Sequence, residues 1–366
     1  MKILILCDHY PLSPRVKKVR NSLLKLYPSS TIKVFAWNRE NNMVSEDYVV
    51  TFNQDIGYGN KLKKALNLPK FIKQAKIYAK KFNPTHIHAI DIEMLITSTL
   101  ISSNENLIYE VYDIKFYKPR IIKLIREKIE TFIIRKHIKG IIFASPFFDI
   151  YYTQIGIRDI QKIVLNNKPS SNMIGSRETS YMNQFEVLLE GKCVIGFIGT
   201  VRYQNILINL IDASRSLDNI TILISGNGPS YNYIKDYIED NDLGNKVIMT
   251  GRYEIEDLKI IYDACDYVWA AYPNEDLNVK YAASNKFFES MVFGKKVIVS
   301  ELTMLGDMVE EIDVGYTVNP YDVEEIYDLL KVLEKKYNKK SYMSFDEGLF
   351  WEDEEIKLLN IYQDSK

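Results

Sequence analysis

The densest group of residues able to do chemistry lies in SNKFFESMVFGKKVIVS, residues 284–300. Ser284 is typical of a helix N-cap, and Gly294 of a helix end that precedes a buried strand. A helix that starts at the end of a strand offers free backbone N–H groups and a positive dipole to a phosphate. Lys286 adds a cation there, and Glu289 could accept hydrogen bonds from a ribose diol. The alternative is an ordinary ion pair between these two residues on a solvated helix face.

Two further segments have the form of a strand that ends in glycine before a helix. In GFIGTVRYQN (196–205), Gly199 allows a ligand close to the backbone, and Arg202 can hold a diphosphate by two parallel hydrogen bonds. SGNGPS (225–230) repeats the form. A single glycine turn is weak evidence, because any turn from strand to helix can use one. Several of them in one half of the chain predict a binding site for an anion.

These segments belong to a regular alternation of strands and helices. Short β-branched runs alternate with amphipathic stretches, which is typical of parallel sheets with crossover helices. The predicted strands are 2–7, 31–37, 86–90, 106–112, 140–145, 194–199, 220–226, 246–251, 267–272, 296–300 and 314–318. We predict an α/β protein of two Rossmann-like domains, with ligands at the carboxyl ends of the strands in a cleft between them.

The polar stretch 166–180 separates the two groups of strands. It is rich in Ser and Asn and contains Pro169 and Gly175, as expected of a linker. We place the boundary near residue 168. The closing segment 351–363 has Ile356, Leu359 and Tyr362 at helical spacing, so it needs a surface on which to pack.

The composition excludes several classes of protein. The chain has 366 residues, of which 46% are hydrophobic, enough for globular cores. Cys7, Cys193 and Cys265 have no spacing typical of zinc sites or disulfide frameworks, and they are expected to be free thiols. The opening MKILILC is too short for a signal-peptide core, and no apolar run has the length of a membrane span. We expect a cytoplasmic protein.

The charge is distributed unevenly. Residues 1–165 contain 27 Lys and Arg against 14 Asp and Glu, whereas the remainder contains 20 against 34. A basic half suggests contact with phosphates or an anionic surface. Within it, residues 61–82 form a basic amphipathic stretch with Lys73, Lys76 and Lys80 on one face. That face could contact anionic lipid, or it could simply be the solvated side of a packed helix.

The order of the motifs resembles one family. The second half is similar to the nucleotide-binding domain of family 4 (group 1) glycosyltransferases in its succession of GTVR, GNGP, VIMTGRY, the Asp266 strand, NKFFESMVFGKKVIVS and a closing tryptophan helix. The first half is similar in DHYPLSPRVKKV, PTHIHAID, LIYEVYDI and a helix with Glu130 before GIIFASPFF. The resemblance covers nearly the whole chain, and it points to a divergent subgroup common in capsule and cell-surface polysaccharide pathways.

The resemblance implies a GT-B glycosyltransferase whose two Rossmann-like domains face each other across a cleft. Residues 1–168 would bind the acceptor, residues 169–350 would bind the donor, and the helix 351–366 would pack back on the first domain. The donor would be a nucleotide sugar, expected to be UDP-linked, with no other cofactor and no metal. The acceptor would be a saccharide or a polyprenyl-diphosphate-linked one, with no nucleic acid involved. The enzyme could be peripheral on the inner face of the plasma membrane.

The resemblance also implies roles for residues of the donor domain. Glu289 would bind the ribose, and Arg202 and Lys286 the diphosphate. Many members carry a second glutamate eight residues before the ribose-binding one, where this chain has Tyr281, so Asn278 or Lys280 could substitute. The predicted donor-binding residues are Gly199, Thr200, Arg202, Gly226, Asn285, Lys286 and Glu289.

The first half would supply the groups around the reacting sugar. Retaining transfer needs stabilisation of a separating diphosphate and of a cationic sugar ring. Asp113 is the first catalytic candidate, followed by Asp8 and His9, and Arg15 is a candidate for acceptor binding. Each of them could instead be a turn or cap residue.

A metal site in the first half is a weaker hypothesis. His86 and His88 lie on one face of a predicted strand, with Asp91 after it. A structural histidine pair is the favoured interpretation over a metal site. We therefore predict no metal ligands.

Other functions remain open. A nucleotide-sugar epimerase could use the same fold, although the basic first half favours an acceptor site. A non-catalytic partner subunit that keeps the fold is favoured by Tyr281. A dinucleotide-dependent dehydrogenase is disfavoured, because CDHYPLSP after the first strand lacks the glycine fingerprint.

Overall fold

The protein divides into two compact units, each built on one parallel sheet. A computed structural model describes residues 1–56, 60–103, 105–115, 120–174, 180–183, 185–337 and 348–363. The first unit comprises Met1–Asn166 with Glu354–Lys366, and the second comprises Asn167–Asp353.

The described residues from 1 to 166 of the first unit form seven strands and five helices. The strands are β1 (Lys2–Tyr10), β2 (Thr31–Asn38), β3 (Val49–Asn53), β4 (His86–Ile90), β5 (Asn106–Val111), β6 (Ile138–Phe143) and β7 (Gln161–Val164). The helices are α1 (Pro14–Leu26), α2 (Lys61–Phe82), α3 (Asp91–Ile101), α4 (Arg120–His137) and α5 (Phe148–Gln154). The sheet order is β3-β2-β1-β4-β5-β6-β7, with every pair parallel.

The described residues of the second unit repeat this plan with six strands. They are β8 (Cys193–Ile198), β9 (Ile220–Ser225), β10 (Val247–Gly251), β11 (Tyr267–Ala270), β12 (Lys296–Ser300) and β13 (Gly315–Val318), in the order β10-β9-β8-β11-β12-β13. The helices are α6 (Glu186–Leu189), α7 (Gln204–Ser214), α8 (Tyr231–Asp240), α9 (Leu258–Asp263), α10 (Leu277–Tyr281), α11 (Asn285–Val292), α12 (Met304–Glu311) and α13 (Val323–Lys336).

The strand order places a switch point at the middle of each sheet. The chain adds strands to one side of β1 and then returns to add β4 on the other side, and it does the same around β8 and β11. Loops that follow neighbouring strands part at such a point and leave a crevice for a ligand. The ends of β1 and β4, and those of β8 and β11, are therefore where functional residues are expected.

Continuous apolar runs build the central strands. Ile3–Cys7 of β1 is fully buried, and so is nearly all of Cys193–Ile198 in β8, because helices cover both faces of each sheet. The three cysteines are free and buried. All eleven predicted strands are present. The sequence analysis missed β3 and β7, two short strands at the edges of the first sheet, where half-polar sequence gives a weaker signal.

The closing segment differs from the single amphipathic helix that was predicted. It consists of α14 (Trp351–Glu355), a 3₁₀ turn (Ile356–Leu358) and α15 (Leu359–Tyr362), and residues 364–366 lie outside the described part. The change of helix type rotates the buried face. Leu358, Ile361 and Tyr362 are therefore buried, while Ile356 is exposed.

From Glu354 onward, the closing segment packs in the first unit. A Cβ on Gly140 of β6 would lie 2.6 Å from Ile361 Cδ1, and Ser22 of α1 donates a hydrogen bond of 2.6 Å to Glu355. On the linker side, Pro169 accepts a hydrogen bond from the Trp351 amide, and Gly175 lies outside the described residues. Among the described residues, no helix is both long and apolar enough to cross a membrane.

Candidate active site

Two glycine loops of the second unit touch through their backbones. Gly199 follows β8 with φ +124°, and Gly226 follows β9 with φ +138°. A Cβ on Gly226 would lie 1.8 Å from the Gly199 carbonyl oxygen, and one on Gly228 would lie 2.4 Å from Val201 O. Val201 N donates to the Asn227 carbonyl at 3.1 Å, which ties the loops together. Glycine is required because a side chain would force the loops apart.

A pocket of about 450 Å³ opens onto these loops at the carboxyl ends of β8, β9 and β10. Its lining residues are Gly199, Thr200, Gly226, Asn227, Gly228, Arg252, Tyr253 and Glu254. Because Gly199, Gly226 and Gly228 have no side chains, the glycine loops leave space for a ligand beside their backbone. This volume suits a ligand of small-molecule size.

The Lys286 side chain carries its ammonium to the first glycine loop. It extends from the first turn of α11 and is 8% exposed. Its Nζ donates to the Tyr272 hydroxyl at 2.7 Å, lies 4.8 Å from the centre of the Phe197 ring, and would be 3.3 Å from a Cβ on Gly199. No carboxylate in the described part of the chain pairs with it. A buried cation held by aromatic groups is suited to binding an anion.

Glu289 lies one turn further along α11. Its Oε2 accepts a hydrogen bond of 2.6 Å from the Tyr262 hydroxyl. Among the ion pairs of the described residues, none joins Glu289 to Lys286. Burial and the nearby Glu289 charge raise the pKa of Tyr253, a residue of the pocket wall. The Ser284 hydroxyl accepts from the Lys286 amide and caps the helix as predicted.

The first unit gathers charged groups at the end of β1, after β2, β4 and β5, and on α2. Asp8 pairs with His9 Nδ1 at 2.9 Å, with Arg39 at 2.8 Å and with Lys64 at 2.7 Å. Lys64 also reaches Glu93 at 3.1 Å. We call this set, with its two further members, the charged cluster. Its members are Asp8, His9, Arg39, Lys64, Asp91, Glu93 and Lys115.

The charged cluster fixes the protonation of His9. Burial opposes ionisation of Asp8, but hydrogen bonds and the cations around it hold its pKa well below the usual range. The hydrogen bond to Asp8 raises the pKa of His9 to about 10, which outweighs burial. His9 is therefore an imidazolium at neutral pH. A cation cannot stabilise a cationic sugar ring by charge, which corrects that part of its predicted role; it can donate a hydrogen bond.

Asp91 has a different environment in the same cluster. It begins α3 directly after β4 with φ +61°, a conformation unusual for a residue with a side chain. Its Oδ1 accepts from the Tyr112 amide at 3.0 Å, and Lys115 Nζ lies 3.7 Å from Oδ2. Burial raises the pKa of Asp91 to about 7 despite Lys115. This carboxyl can exchange a proton near neutral pH.

Comparison with known proteins bears on both units. Residues 182–347 match the family model described as "Glycosyl transferases group 1". The second unit is therefore similar to the group 1 glycosyltransferases over most of its length. The match covers the sheet, the glycine loops and α11, and it confirms the predicted glycosyltransferase class.

Solved structures extend the likeness to the whole chain. A sucrose-phosphate synthase from Thermosynechococcus elongatus is 15% identical, with a TM-score of 0.73 over 99% of this chain and 98% of that one. HepE of Anabaena, in complex with UDP-glucose, is 16% identical with a TM-score of 0.66 over 99% and 95%. WaaG, a glycosyltransferase involved in lipopolysaccharide biosynthesis, is 11% identical with a TM-score of 0.65 over 100% and 96%. These likenesses confirm the α/β GT-B fold. No curated protein sequence matched the chain.

The predicted donor residues of the glycosyltransferase domain fall into two groups. Gly199, Thr200 and Gly226 line the pocket, with Lys286 beside Gly199. The others, Arg202, Asn285 and Glu289, lie outside its lining. Asn285 is exposed and accepts a hydrogen bond of 3.0 Å from the Asn167 amide, and Arg202 is exposed before α7. Their roles in donor binding stay predictions.

Five lining residues were not among the predicted donor-binding residues: Asn227, Gly228, Arg252, Tyr253 and Glu254. Arg252 and Tyr253 follow Gly251, which ends β10 with φ +76°. This is the same strand–glycine–basic pattern that singled out Arg202, so the signal was present in GRY. Tyr281, which stands where many members have a glutamate, is buried under the Lys280 ammonium at 6.0 Å. A role of Asn278 or Lys280 in its place stays a prediction.

The structure places Arg15 differently from its predicted role. Its guanidinium is 5% exposed and donates to Glu110 Oε1 at 2.9 and 2.7 Å. Acceptor binding would need an accessible guanidinium, whereas this one neutralises a fully buried carboxylate. His88 Nε2 lies 2.8 Å from Glu110 Oε2, and its Nδ1 shares a hydrogen bond of 2.6 Å with Tyr362. Arg15 and His88 therefore belong to a buried structural network.

Asp113, the first catalytic candidate, is more exposed than Arg15. Asp113 is exposed just after β5, and its negative charge contributes to the raised pKa of Asp91. Its catalytic role stays a prediction.

Among the described residues, Cys7, Asp8 and His9 form a group with potential metal ligands within 4.8 Å of one another. Protonation of His9 and the cations on Asp8 oppose metal binding there.

Proposed function

We propose that this protein transfers a sugar, with retention of configuration, from a nucleoside-diphosphate sugar to a saccharide or lipid-linked acceptor in cell-surface polysaccharide synthesis. The GT-B fold and the group 1 domain support the transferase class. The observation that carries the proposal is the buried ammonium of Lys286 beside two glycine loops that open onto a pocket.

The donor proposal follows from the chemistry of this pocket. A diphosphate carries concentrated negative charge and needs backbone N–H donors and cations in reach. Lys286 and the exposed Arg252 supply cations, and the glycine loops allow close approach. Glu289 would accept the ribose hydroxyls. A uridine nucleotide is favoured because HepE binds UDP-glucose.

The first unit would supply the acceptor side. Asp113 and Asp8 are the candidates for stabilising positive charge on the sugar ring, and the imidazolium of His9 would donate a hydrogen bond to an acceptor oxygen. The proton-exchanging Asp91 lies in the same charged cluster. No metal is needed in this scheme, since lysine and arginine bear the diphosphate charge.

The acceptor proposal rests on charge and on one structural relative. The basic first half would favour an acceptor that carries phosphate, such as a polyprenyl diphosphate. WaaG is involved in lipopolysaccharide biosynthesis, which supports a cell-surface glycan as the product. Lys73, Lys76 and Lys80 are exposed on α2 and would hold the enzyme at an anionic inner membrane face.

Calorimetry with a panel of nucleoside diphosphates and their sugars tests the donor. Wild type should bind one diphosphate, and Lys286→Ala should bind it at least about tenfold more weakly, as expected for loss of a charged hydrogen bond. Lys259→Ala, which removes a half-exposed lysine of the same unit that pairs with Asp263, is the matched control. Absence of binding at millimolar ligand would overturn the proposal.

Product analysis separates the transferase from its alternatives. A transferase should consume the donor only when an acceptor is present and release the nucleoside diphosphate. An epimerase would convert the donor sugar without acceptor. Donor binding without turnover, over a broad set of glycan and lipid-linked acceptors, would favour the non-catalytic subunit, for which Tyr281 is the supporting residue.

A further inference from the structure

Helix α4 of the first unit buries charged side chains and exposes large apolar ones. Its inner side carries Arg126 and Glu130, which are 9% and 0% exposed and pair at 3.2 Å. Glu130 Oε1 also accepts hydrogen bonds from the hydroxyls of Tyr109 at 2.7 Å and Tyr152 at 2.6 Å. The two charged groups therefore pair with each other inside the protein. Most of the large apolar side chains of the helix lie on its outer side, whereas Ile134 is buried.

The outer side of α4 is a nearly continuous aliphatic surface. Six large side chains on it are between 45% and 63% exposed. At about 100° per residue they occupy an arc of roughly 160° opposite Arg126 and Glu130. We call them the α4 face: Ile121, Ile122, Leu124, Ile125, Ile129 and Phe132. Apolar side chains that are exposed together, rather than singly, mark a contact surface.

The charges around the α4 face have one sign. Lys128, Arg135 and Lys136 are exposed within or beside the arc. Of the two glutamates of α4, Glu130 is buried and Glu127 is turned inward to the Tyr151 hydroxyl. Among the described residues of this helix, no acid faces the arc. Apolar side chains framed by lysine and arginine suit a layer with an anionic surface and an apolar interior.

We propose that the α4 face is the membrane-contact surface of this protein and that α4 lies along an anionic bilayer. The aliphatic side chains would enter the boundary between headgroups and acyl chains, and the basic residues would reach the headgroups. A second copy of the chain fits less well, because a two-fold contact would oppose basic residues to one another. This inference rests on the proposed function in one respect: membrane contact would bring the active site to a lipid-linked acceptor.

The α4 face adds a component that the lysines of α2 cannot supply. Helix α2 packs on α3, and α3 packs on α4, so these helices cover the same side of the sheet. Binding through Lys73, Lys76 and Lys80 alone is electrostatic and is removed by salt. Insertion of aliphatic side chains persists at high salt. The salt dependence therefore separates the two surfaces.

Flotation with vesicles of phosphatidylcholine and phosphatidylglycerol in equal parts tests the proposal. The triple variant Ile121→Ser, Ile125→Ser, Phe132→Ser should bind at least about tenfold more weakly, because it loses three large apolar contacts. The matched control is Tyr233→Ser, Ile255→Ser, Val332→Ser, which removes three side chains of the second unit that are 44–52% exposed. The control should bind as wild type does. The triple variant Lys73→Gln, Lys76→Gln, Lys80→Gln should lose only the salt-sensitive part of vesicle binding.

A tryptophan probe reports insertion directly. The natural Trp37, Trp269 and Trp351 are all at most 2% exposed, so they are shielded from lipid. In Ile125→Trp, emission should be quenched by vesicles that contain brominated phosphatidylcholine, and wild-type emission should not be.

Three results would overturn the proposal. The first is equal flotation of wild type and the α4 triple variant, and the second is absence of quenching in Ile125→Trp. The third is a wild-type dimer that the triple variant converts to monomer without any vesicle binding, which would assign the face to a second copy. Circular dichroism and thermal melting, measured without vesicles, show that each variant is folded, and nucleotide affinity shows that its second unit is intact. It also tests the proposed function separately from the α4 face.

Discussion

At the scale of single residues, partners decide what each group can do. Lys286 Nζ lies among aromatic rings and meets a glycine loop, whereas Lys115 and Lys64 are paired with carboxylates. Arg15 is equally basic but is bound by Glu110 inside the first unit. Residue type alone therefore does not distinguish a ligand-binding cation from a structural one.

Substitution of Glu289 should weaken donor binding. A carboxylate that accepts the ribose hydroxyls contributes roughly 1.5–3 kcal/mol, so Glu289→Ala should bind nucleoside diphosphate about 10- to 150-fold more weakly in calorimetry. Glu239→Ala, at an exposed position of α8, is the control. The loss should be smaller for a 2′-deoxy nucleotide, which lacks one partner. Unchanged affinity for the ribonucleotide would show that Glu289 does not bind the ribose.

The His9 imidazole should titrate far above its usual range. Its pKa is raised to about 10, chiefly by Asp8, so the stabilisation from this pair is full below pH ~6.5 and is lost as pH rises through about 10. NMR titration of the four histidines should show His9 protonated at pH 8. Asp8→Asn should lower that pKa by about 1–3 units, and Asp47→Asn, at an exposed acid, should not. A His9 that titrates near pH 6.5 in the wild type would contradict this.

At the scale of elements, the candidate donor site is made by how strands end. β8, β9 and β10 each finish in a glycine or lead directly to one, and their loops meet on one edge of the sheet. The following helices α7 and α8 start from those loops. The lining residues of the pocket lie together because β8, β9 and β10 are neighbours in the sheet.

Replacement of Gly226 by alanine should damage the pocket. The new Cβ would lie 1.8 Å from Gly199 O at a φ of +138°, so Gly226→Ala should lower the free energy of unfolding by more than about 2 kcal/mol and weaken nucleotide binding. Gly244→Ala is the control, because no atom lies within 4 Å of its Cβ. Chemical denaturation and calorimetry measure both effects. Equal behaviour of the two variants would refute the close contact between the loops.

At the scale of the whole molecule, the division of charge accompanies the division into units. The basic residues concentrate in the first 165 residues, in which α2, α4 and the charged cluster lie. The second half is acidic, yet it places the cations Lys286 and Arg252 at its pocket. Local placement thus overrides net charge where an anion is to be bound.

Transfer should not require a divalent metal ion. Lysine, arginine and the start of α11 can bear the diphosphate charge, and the charged cluster around Asp8 is already neutralised by cations. Activity in excess chelator should therefore equal activity in added Mg²⁺ or Mn²⁺. An enzyme that loses activity to the chelator and regains it with either metal would disprove the expectation.

Local sequence determined much of this protein. Strand and helix periodicity gave the two parallel sheets, and the order of glycine loops gave the family, because both are properties of neighbouring residues. Ser284 as a cap and Gly199 as a close-approach position could likewise be recognised from a few residues. The edge strands β3 and β7 could not, since they are short and half-polar.

Only the tertiary structure decided which distant groups meet. Glu110, which neutralises Arg15, is 95 residues away in sequence, and Tyr362, which meets His88, is 274 residues away. The raised pKa of His9 depends on Asp8, whose own charge is held by Lys64 from another helix. The outward aliphatic face of α4 was equally hidden, because helical periodicity locates an apolar stripe but does not tell which side of the helix packs inward. Burial and long-range pairing are set by the whole fold. They show Arg15 as a buried structural residue paired with Glu110, where the sequence predicted a contact to the acceptor.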